Sequence, residues 1–142
     1  MIKKWTSPSE EETFALGARL AGELQPGAIV ALKGDLGAGK THLVKGMAQA
    51  FGIKKEQVHS PTFSLIHEYE GTMMLYHFDC YRLESPQEAL EIGAEDYFYD
   101  QGVCVIEWPE RIEAILPGDV IWVEIEITGL SQREFTIRMP NK

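Results

Sequence analysis

A chain of 142 residues, 44% of them hydrophobic, is long enough for a compact domain with a buried core, and we expect a single domain over residues 1–142. The formal net charge is −9, with eight basic and six acidic side chains in residues 1–60 but five basic and sixteen acidic ones in residues 61–142. An acidic chain gains nothing from counterion release, which argues against tight direct binding of nucleic acid and leaves a solvated surface or a basic protein partner as interpretations of the acidic half.

The number of cysteines and the hydropathy of the chain indicate where in the cell the protein is expected to be. Cys80 and Cys104 both lie in apolar surroundings and are too few for a disulfide framework, which favours a reducing cytoplasm. The N-terminal residues lack the apolar core of a signal peptide, and no apolar run is long enough to span a bilayer. We therefore expect a cytoplasmic protein that does not engage a membrane.

The first predicted helix follows a capping pattern at residues 7–10. A serine hydroxyl, a proline for the first helical position and acidic residues in the first turn are typical of a helix N-terminus. The helix is predicted to run to about Leu24, before a Pro-Gly pair. Ser7 or Ser9 near a bound ligand is the alternative to a plain helix cap, and the cap is the preferred interpretation.

The next stretch carries the strongest signal in the chain. Residues 28–32 predict a short buried strand, residues 41–51 have apolar side chains at helical spacing, and Gly34-Asp35-Leu36-Gly37-Ala38-Gly39-Lys40-Thr41 lies between them. Glycine, four residues and then Gly-Lys-Thr is the spacing of a phosphate-binding P-loop. The residues predicted to bind the nucleotide are Gly34, Leu36, Gly37, Ala38, Gly39, Lys40, Thr41 and His42.

The chemistry of a polyphosphate explains these residue types. Backbone N–H groups must wrap around the phosphates, and a Cβ at the crowded positions would block that approach. Lys40 is predicted to reach the β- and γ-phosphates, and the Thr41 hydroxyl to bind Mg²⁺. A flexible glycine turn without a ligand is the alternative, and the strand–loop–helix context argues against it. The sequence thus predicts binding of a nucleoside triphosphate.

The segment after the P-loop helix has two interpretations. Ser60 and Thr62 flank Pro61 in a loop that leads into a strand, and hydroxyls in this segment of P-loop NTPases often sense the γ-phosphate and metal. A loop stiffened by proline is the simpler explanation, which composition alone favours. Residues 63–69 and 73–78 then predict a β-hairpin.

Two carboxylates at strand ends are the candidate catalytic groups. Asp79 ends the second hairpin strand and is a candidate to position the attacking water or metal-bound water, with a turn cap as the alternative. Residues 103–107 predict a buried parallel strand that ends in Glu107, where most such strands end in Asp. Glu107 is therefore assigned either to Mg²⁺ or to activation of water. His77 is interpreted as structural, and Trp108 is predicted to pack beside the nucleotide end of the sheet.

The remainder of the chain predicts supporting elements. Residues 85–92 form a second capped helix, and the aromatic group at residues 97–99 is either a partner-facing patch or the cover of a sheet edge. Residues 120–127 and 133–139 predict two further strands, and Arg133 is a weak candidate for a nucleotide contact. The pattern is that of an α/β protein with a P-loop NTPase-like domain.

Five motifs, taken in order, resemble the TsaE (YjeE) family. They are the P-loop at residues 34–41, Ser60-Pro61-Thr62-Phe63, His77-Phe78-Asp79-Cys80-Tyr81-Arg82-Leu83, Asp96-Tyr97-Phe98 and Ile106-Glu107-Trp108-Pro109. The family comprises small ATPases of the bacterial machinery that makes threonylcarbamoyladenosine (t6A) at position 37 of tRNAs that read ANN codons. The resemblance extends from about Pro8 to Arg133.

The resemblance implies a mixed β-sheet flanked by helices and a Mg²⁺-dependent ATPase that hydrolyses ATP slowly. It implies Thr41 and Glu107 as metal ligands, Asp79 as an essential acid near the γ-phosphate, and Ser60 and Thr62 as a switch-like segment. Asp79, Glu107 and Lys40 form the implied catalytic set. The implied partners are TsaD, which carries the transfer chemistry, and TsaB, with tRNA reached only indirectly. One departure is His42, where relatives often have Thr.

Two other functions compete with this hypothesis. A small-molecule P-loop kinase usually clamps its substrates with several arginines, but between Thr41 and Leu130 the chain has only Arg82 and Arg111 and no evident lid. A nucleotide-sensing scaffold that never hydrolyses is the second rival, against which Asp79 and Glu107 argue. A GTPase is less favoured, because the Asn-Lys-x-Asp guanine motif does not occur.

Overall fold

The computed structural model describes residues 2–35, 38–58 and 65–140. The strands within these ranges are β1 (Ile2–Ser7), β2 (Ile29–Lys33), β3 (Ile66–Tyr69), β4 (Leu75–Asp79), β5 (Val103–Glu107), β6 (Ile121–Ile127) and β7 (Arg133–Arg138). The α-helices are α1 (Glu10–Ala21), α2 (Lys40–Ala50), α3 (Pro86–Glu91) and α4 (Ala94–Phe98), with 3₁₀ turns at Lys55–Gln57, Pro109–Arg111 and Glu113–Ile115.

All seven strands join one mixed sheet in the order β1-β7-β6-β2-β5-β4-β3. The central strands β6, β2, β5 and β4 are parallel, and β7, β1 and β3 add antiparallel pairs at the two edges. β5 is buried at every position, as expected for a strand covered on both faces. The predicted α/β fold with a mixed sheet is confirmed, as is the hairpin of β3 and β4.

Helices cover both faces of the sheet because the side chains of each strand alternate between them. On one face, α1 and α2 pack on Val30 and Leu32 of β2 and on alternate residues of β5, β6 and β7. On the other face, Ile29, Ala31 and Phe78 pack beneath α3, α4 and the segment around Ile112. The two layers hold the parallel strands so that their carboxyl ends meet at one edge.

Two glycines set the distance between α1 and α2. A Cβ at Gly17 would overlap the carbonyl oxygen of Leu43, and a Cβ at Gly46 would overlap that of Phe14. The backbones of the two helices therefore touch. This contact also places the first turn of α1 against the end of the P-loop, since the Thr13 methyl group would lie 3.7 Å from a Cβ at Gly39.

Several elements differ from the prediction. β1 was not predicted, because its two adjacent lysines interrupt the apolar pattern of a strand. Its partner in the sheet, β7, lies at the other end of the sequence. α1 begins at Glu10 rather than Pro8, because the Ser9 side chain accepts the Glu12 N–H, and it ends at Ala21, before Leu24. The aromatic group at residues 97–99 was not predicted as helical, but Tyr97 and Phe98 end the short helix α4 and pack on Phe78 of β4, as expected for a cover of the sheet.

The described residues contain no helix that is long and apolar enough to cross a membrane. Cys80 and Cys104 are both free and buried. Burial raises the pKa of each thiol to about 12, so both side chains behave as small apolar groups at neutral pH.

Adding a methyl group at the helix contact should destabilise the fold. We expect Gly17→Ala and Gly46→Ala each to lower the free energy of unfolding by about 1–3 kcal/mol or more, since a backbone carbonyl must move away. Urea denaturation followed by circular dichroism measures the change. Gly22→Ala is the matched control, because Gly22 has φ −64° and the nearest atom to its added Cβ is 3.5 Å away. A loss at Gly17 no larger than at Gly22 would contradict the close-contact model.

Candidate functional site

The candidate site lies at the carboxyl ends of the parallel strands, the usual location of ligands in open α/β sheets. The P-loop leaves β2 just after Lys33 and leads into α2. In register, Glu107 at the end of β5 is flanked by Leu32 of β2 and by Asp79 of β4. The topology therefore brings both candidate carboxylates beside the P-loop, although they come from distant parts of the sequence.

The described part of the P-loop has the backbone geometry of an anion site. Gly39 precedes α2 with φ 96°, a conformation that glycine adopts at little cost. α2 has neither a side-chain cap nor an acidic residue in its first turn, so its N-terminal dipole is not neutralised from within the helix. Ala38 is buried, and its N–H donates to the Asp35 carbonyl at 3.0 Å. These features fit a phosphate group at the start of the helix.

Lys40 is nearly buried, with 6% of its surface exposed. Its Nζ donates to the Gly34 carbonyl oxygen at 2.8 Å and lies 4.1 Å from the centre of the Trp108 ring. Burial lowers the pKa of Lys40, and the nearby carboxylates of Glu107 and Asp79 partly oppose that shift. The ammonium group is thus held inside the loop by a carbonyl, an aromatic face and two acidic neighbours.

Trp108 occupies a strained backbone conformation at φ 57°, unique among the non-glycine residues that the structure describes. Such a conformation costs about 1–3 kcal/mol and is retained only where the surroundings enforce it. Here the chain leaves β5 and turns at once into the 3₁₀ turn at Pro109–Arg111. The left-handed turn sets the indole over Lys40 and 5.0 Å from the Tyr81 ring. Trp108 therefore packs at the carboxyl end of the sheet, and its place beside a nucleotide stays a prediction.

The two carboxylates have different surroundings. Glu107 is 5% exposed, and its Oε2 lies 2.5 Å from Nε2 of His77. Asp79 is half-buried, and its Oδ1 accepts the backbone N–H of Tyr81 at 3.0 Å. Burial raises the pKa of Asp79, and the Tyr81 N–H lowers it in part. Glu107 is therefore fixed by a side-chain partner, whereas Asp79 sits in a setting that makes it a stronger base.

Arg133 and His42 contact protein groups at the site. Arg133 reaches from β7 to donate from Nε to the Ala38 carbonyl at 3.2 Å, and its Nη1 donates to the Gln132 carbonyl at 2.9 Å. It thereby links the P-loop to the turn between β6 and β7. His42 directs Nε2 toward the Glu10 carboxylate at 3.3 Å, which ties α2 to the first turn of α1.

A cleft of about 340 Å³ opens beside the P-loop. It is lined by Lys33, Gly34, Asp35, Trp108, Glu110 and Glu124. Except for Gly34 and Trp108, these residues were not predicted as site residues. The lining residues come from three separate segments, at positions 33–35, 108–110 and 124, so no local pattern in the sequence indicates the whole surface. Three of the six carry a carboxylate, so the cleft itself is acidic.

Four predicted site residues, Leu36, Gly37, Ser60 and Thr62, lie outside the described residues, and their roles stay predictions. His77 is the contributor to the site that sequence reasoning treated as merely structural. The available signal was its place two residues before Asp79 in an otherwise apolar strand. That spacing puts both side chains on one face of β4.

The donors present suit a magnesium nucleotide. In the part of the chain that the structure describes, no group of three or more His, Cys, Asp or Glu side chains could hold a metal ion unaided. Mg²⁺ does not require such a cage, because it usually binds one or two protein oxygens and completes its shell with water and substrate phosphates. A carboxylate at Glu107 and a hydroxyl at Thr41, on the first turn of α2, are donors of this kind.

Comparisons with known proteins agree with this geometry. The family described as "Threonylcarbamoyl adenosine biosynthesis protein TsaE" matches residues 7–135. A tRNA threonylcarbamoyladenosine biosynthesis protein TsaE from Bacillus subtilis is 43% identical, covering 94% of this chain and 83% of the relative. The protein of that name from Treponema pallidum is 41% identical, covering 92% and 96%. The crystal structure of YdiB from B. subtilis superposes with a TM-score of 0.83 at 37% identity, covering 99% of this chain and 87% of that one.

The hydrogen bond from Arg133 to the P-loop should contribute more to the free energy of unfolding than the contacts of an exposed arginine do. We expect Arg133→Ala to lower the free energy of unfolding by about 1.5–3 kcal/mol, the range for hydrogen bonds to a charged group. Arg138→Ala is the control on the same strand, because its ion pair with Glu124 is exposed and 3.7 Å long, and we expect a loss of about 0–1 kcal/mol. Urea unfolding of both variants compares them, and equal losses would remove the special role of Arg133.

Proposed function

Because this chain belongs to the TsaE family, we propose that it is a Mg²⁺-dependent ATPase that acts in formation of t6A at adenosine 37 of tRNAs reading ANN codons. One observation carries the proposal: Lys40, Asp79 and Glu107 converge at the carboxyl edge of the sheet, beside a left-handed Gly39 and the start of α2. Phosphate binding requires the loop and the lysine, and hydrolysis additionally requires the carboxylates.

In the proposed binding mode, N–H groups of residues 34–42 and the α2 dipole hold the phosphates. Lys40 exchanges its hydrogen bond to the Gly34 carbonyl for phosphate oxygens, which are the stronger acceptors. The exchange also compensates the desolvation that lowers the pKa of Lys40. Arg133 acts on the loop through the Ala38 carbonyl and is not required to touch the nucleotide.

Thr41 and Glu107 are the proposed ligands of Mg²⁺, which when bound neutralises charge on the phosphates. Hydrolysis then adds water to the γ-phosphorus, breaks the bond to the bridging oxygen of ADP and releases a proton. We assign orientation of that water, and acceptance of its proton, to Asp79. The raised pKa of Asp79 supports this assignment, because a more basic carboxylate is the better proton acceptor. Glu107 is less suited, since its Oε2 is held by His77.

The proposed partners are TsaD and TsaB, with tRNA engaged only through the assembly. The acidic residues 61–142 favour a protein partner over a phosphate backbone. We propose that the isolated chain hydrolyses ATP slowly in the cytoplasm and that ATP orders the segment of Ser60 and Thr62. The ordered form then engages the partners, and hydrolysis releases it, which is a population shift between two states.

Phosphate release from Mg·ATP tests the proposal directly. We expect slow release by the chain alone, faster release with purified TsaD and TsaB, and background release from Lys40→Ala in both conditions. Lys45→Ala is the control variant, because Lys45 lies on α2 one turn beyond the P-loop.

If the rate of phosphate release is the same with and without TsaD and TsaB, the chain is a nucleotide-binding protein that does not act in the t6A machinery. Phosphate transfer to a metabolite would indicate a kinase instead. Binding without single-turnover hydrolysis in the presence of the partners would indicate a sensing scaffold.

Amide variants separate the two carboxylates. We expect Asp79→Asn to keep Mg²⁺-dependent ATP binding and to lower single-turnover hydrolysis by about 10²–10⁴-fold, the usual contribution of a general base. Glu107→Gln should instead lose the Mg²⁺ dependence of binding, since an amide is a weaker ligand for Mg²⁺. Equilibrium binding with and without EDTA, followed by rapid-quench hydrolysis, distinguishes these outcomes. The reverse pattern would exchange the two roles.

A further inference from the structure

His77 is a fully buried polar side chain that the proposed chemistry leaves without a task. It lies inside β4, where its Nε2 is 2.5 Å from Oε2 of Glu107. Among the described residues, its Nδ1 has no hydrogen-bond partner. A buried polar atom without a partner costs free energy, and an apolar residue at this position would avoid that cost. The presence of a histidine at position 77 is therefore not explained by stability alone.

Counting hydrogen bonds fixes the arrangement of the pair. A proton on Nδ1 would leave a buried donor unpaired and would set the lone pair of Nε2 against the carboxylate. A proton on Nε2 instead makes one short bond to Glu107 Oε2 and leaves only a lone pair at Nδ1. Donation from Nε2 to the Glu107 carboxylate is therefore the arrangement that leaves no buried donor unpaired.

We propose that His77 is a positioning residue that fixes the Glu107 carboxylate for the metal of the bound nucleotide. The inference rests on the proposed function and deepens it. The imidazole occupies Oε2, so Oε1 is the oxygen that we assign to Mg²⁺. Donors that orient metal-binding carboxylates in this way tune metal affinity without touching the metal.

The length of the glutamate side chain explains the need for such a partner. Glu107 stands where the shorter Asp is usual, and its extra torsion gives the carboxylate more rotamers to choose from. The hydrogen bond to His77 removes that freedom. Because residues two apart on β4 share a face, the same strand presents His77 to Glu107 and Asp79 to the site.

A Mg²⁺ titration of ATP binding tests the role of His77. The full chain is titrated with Mg²⁺ in the presence of N-methylanthraniloyl-ATP, and the affinity for this analogue is also measured in EDTA. His77→Gln keeps an N–H donor near the Nε2 position, whereas His77→Asn carries its amide at the Nδ1 position, away from Glu107. His77→Leu removes the donor without adding a buried amide, and it serves where the Asn variant does not fold.

We expect His77→Asn and His77→Leu to raise the half-saturating Mg²⁺ concentration by about 10–100-fold, with affinity in EDTA unchanged. His77→Gln should stay close to the parent. In a Glu107→Gln background, His77→Leu should add no further effect, because the two residues act as one unit.

Three results overturn the inference. The first is that analogue binding depends on Mg²⁺ to the same extent in His77→Leu and in the parent. His77 then has no positioning role, and the proposed function is unaffected. An equal loss of binding in EDTA and in Mg²⁺ assigns His77 to the core alone. A parent that binds the analogue without any Mg²⁺ dependence overturns the proposed function itself and the inference with it.

Discussion

The burial of one positive charge, the ammonium group of Lys40, organises the candidate site. Removing a cation from water is costly unless nearby groups replace its hydration. The Gly34 carbonyl and the face of Trp108 supply contacts, and the carboxylates of Glu107 and Asp79 supply compensating charge. These groups come from the P-loop, from the end of β4 and from the end of β5 with the residue after it, so the lysine is accommodated only when the parallel strands are assembled. The strained backbone of Trp108 is then understandable, since it places the indole on the ammonium group.

Under the proposed function the same carboxylates create a second constraint, because the phosphates of the nucleotide must then bind beside negative charges. Asp79 and Glu107 stand in register at the strand ends, and the cleft beside them is lined by Asp35, Glu110 and Glu124. A polyphosphate entering alone would meet repulsion from these charges. A divalent cation that accompanies the phosphates removes that conflict, and this electrostatic argument is independent of the P-loop pattern. It also explains why the proposed positioning by His77 would matter, since the contact with Nε2 fixes the orientation of the Glu107 carboxylate.

The sequence predicted the elements that a short stretch of neighbouring residues is enough to identify. β2, the P-loop and α2 are adjacent in sequence, and β5 is a continuous apolar run, so their assignments needed no knowledge of the fold. β1 was missed because its stabilising partner is β7, with Ile2 opposite Arg138. The hydrogen bond between His77 and Glu107 joins residues 30 positions apart, and the left-handed backbone of Trp108 opposes the preference of a bulky residue. Both features depend on the assembled sheet, so the conformational preferences of single residues do not predict them.

The P-loop is held by both ends of the chain. α1 touches it through Thr13 near Gly39 and is tied to α2 by the close contact at Gly17, while Arg133 of β7 binds the Ala38 carbonyl. Loop geometry is therefore a property of the whole fold rather than of its glycines. β1 pairs with β7, and Arg133 of β7 donates to the P-loop, so hydrogen bonds link the loop to both terminal strands.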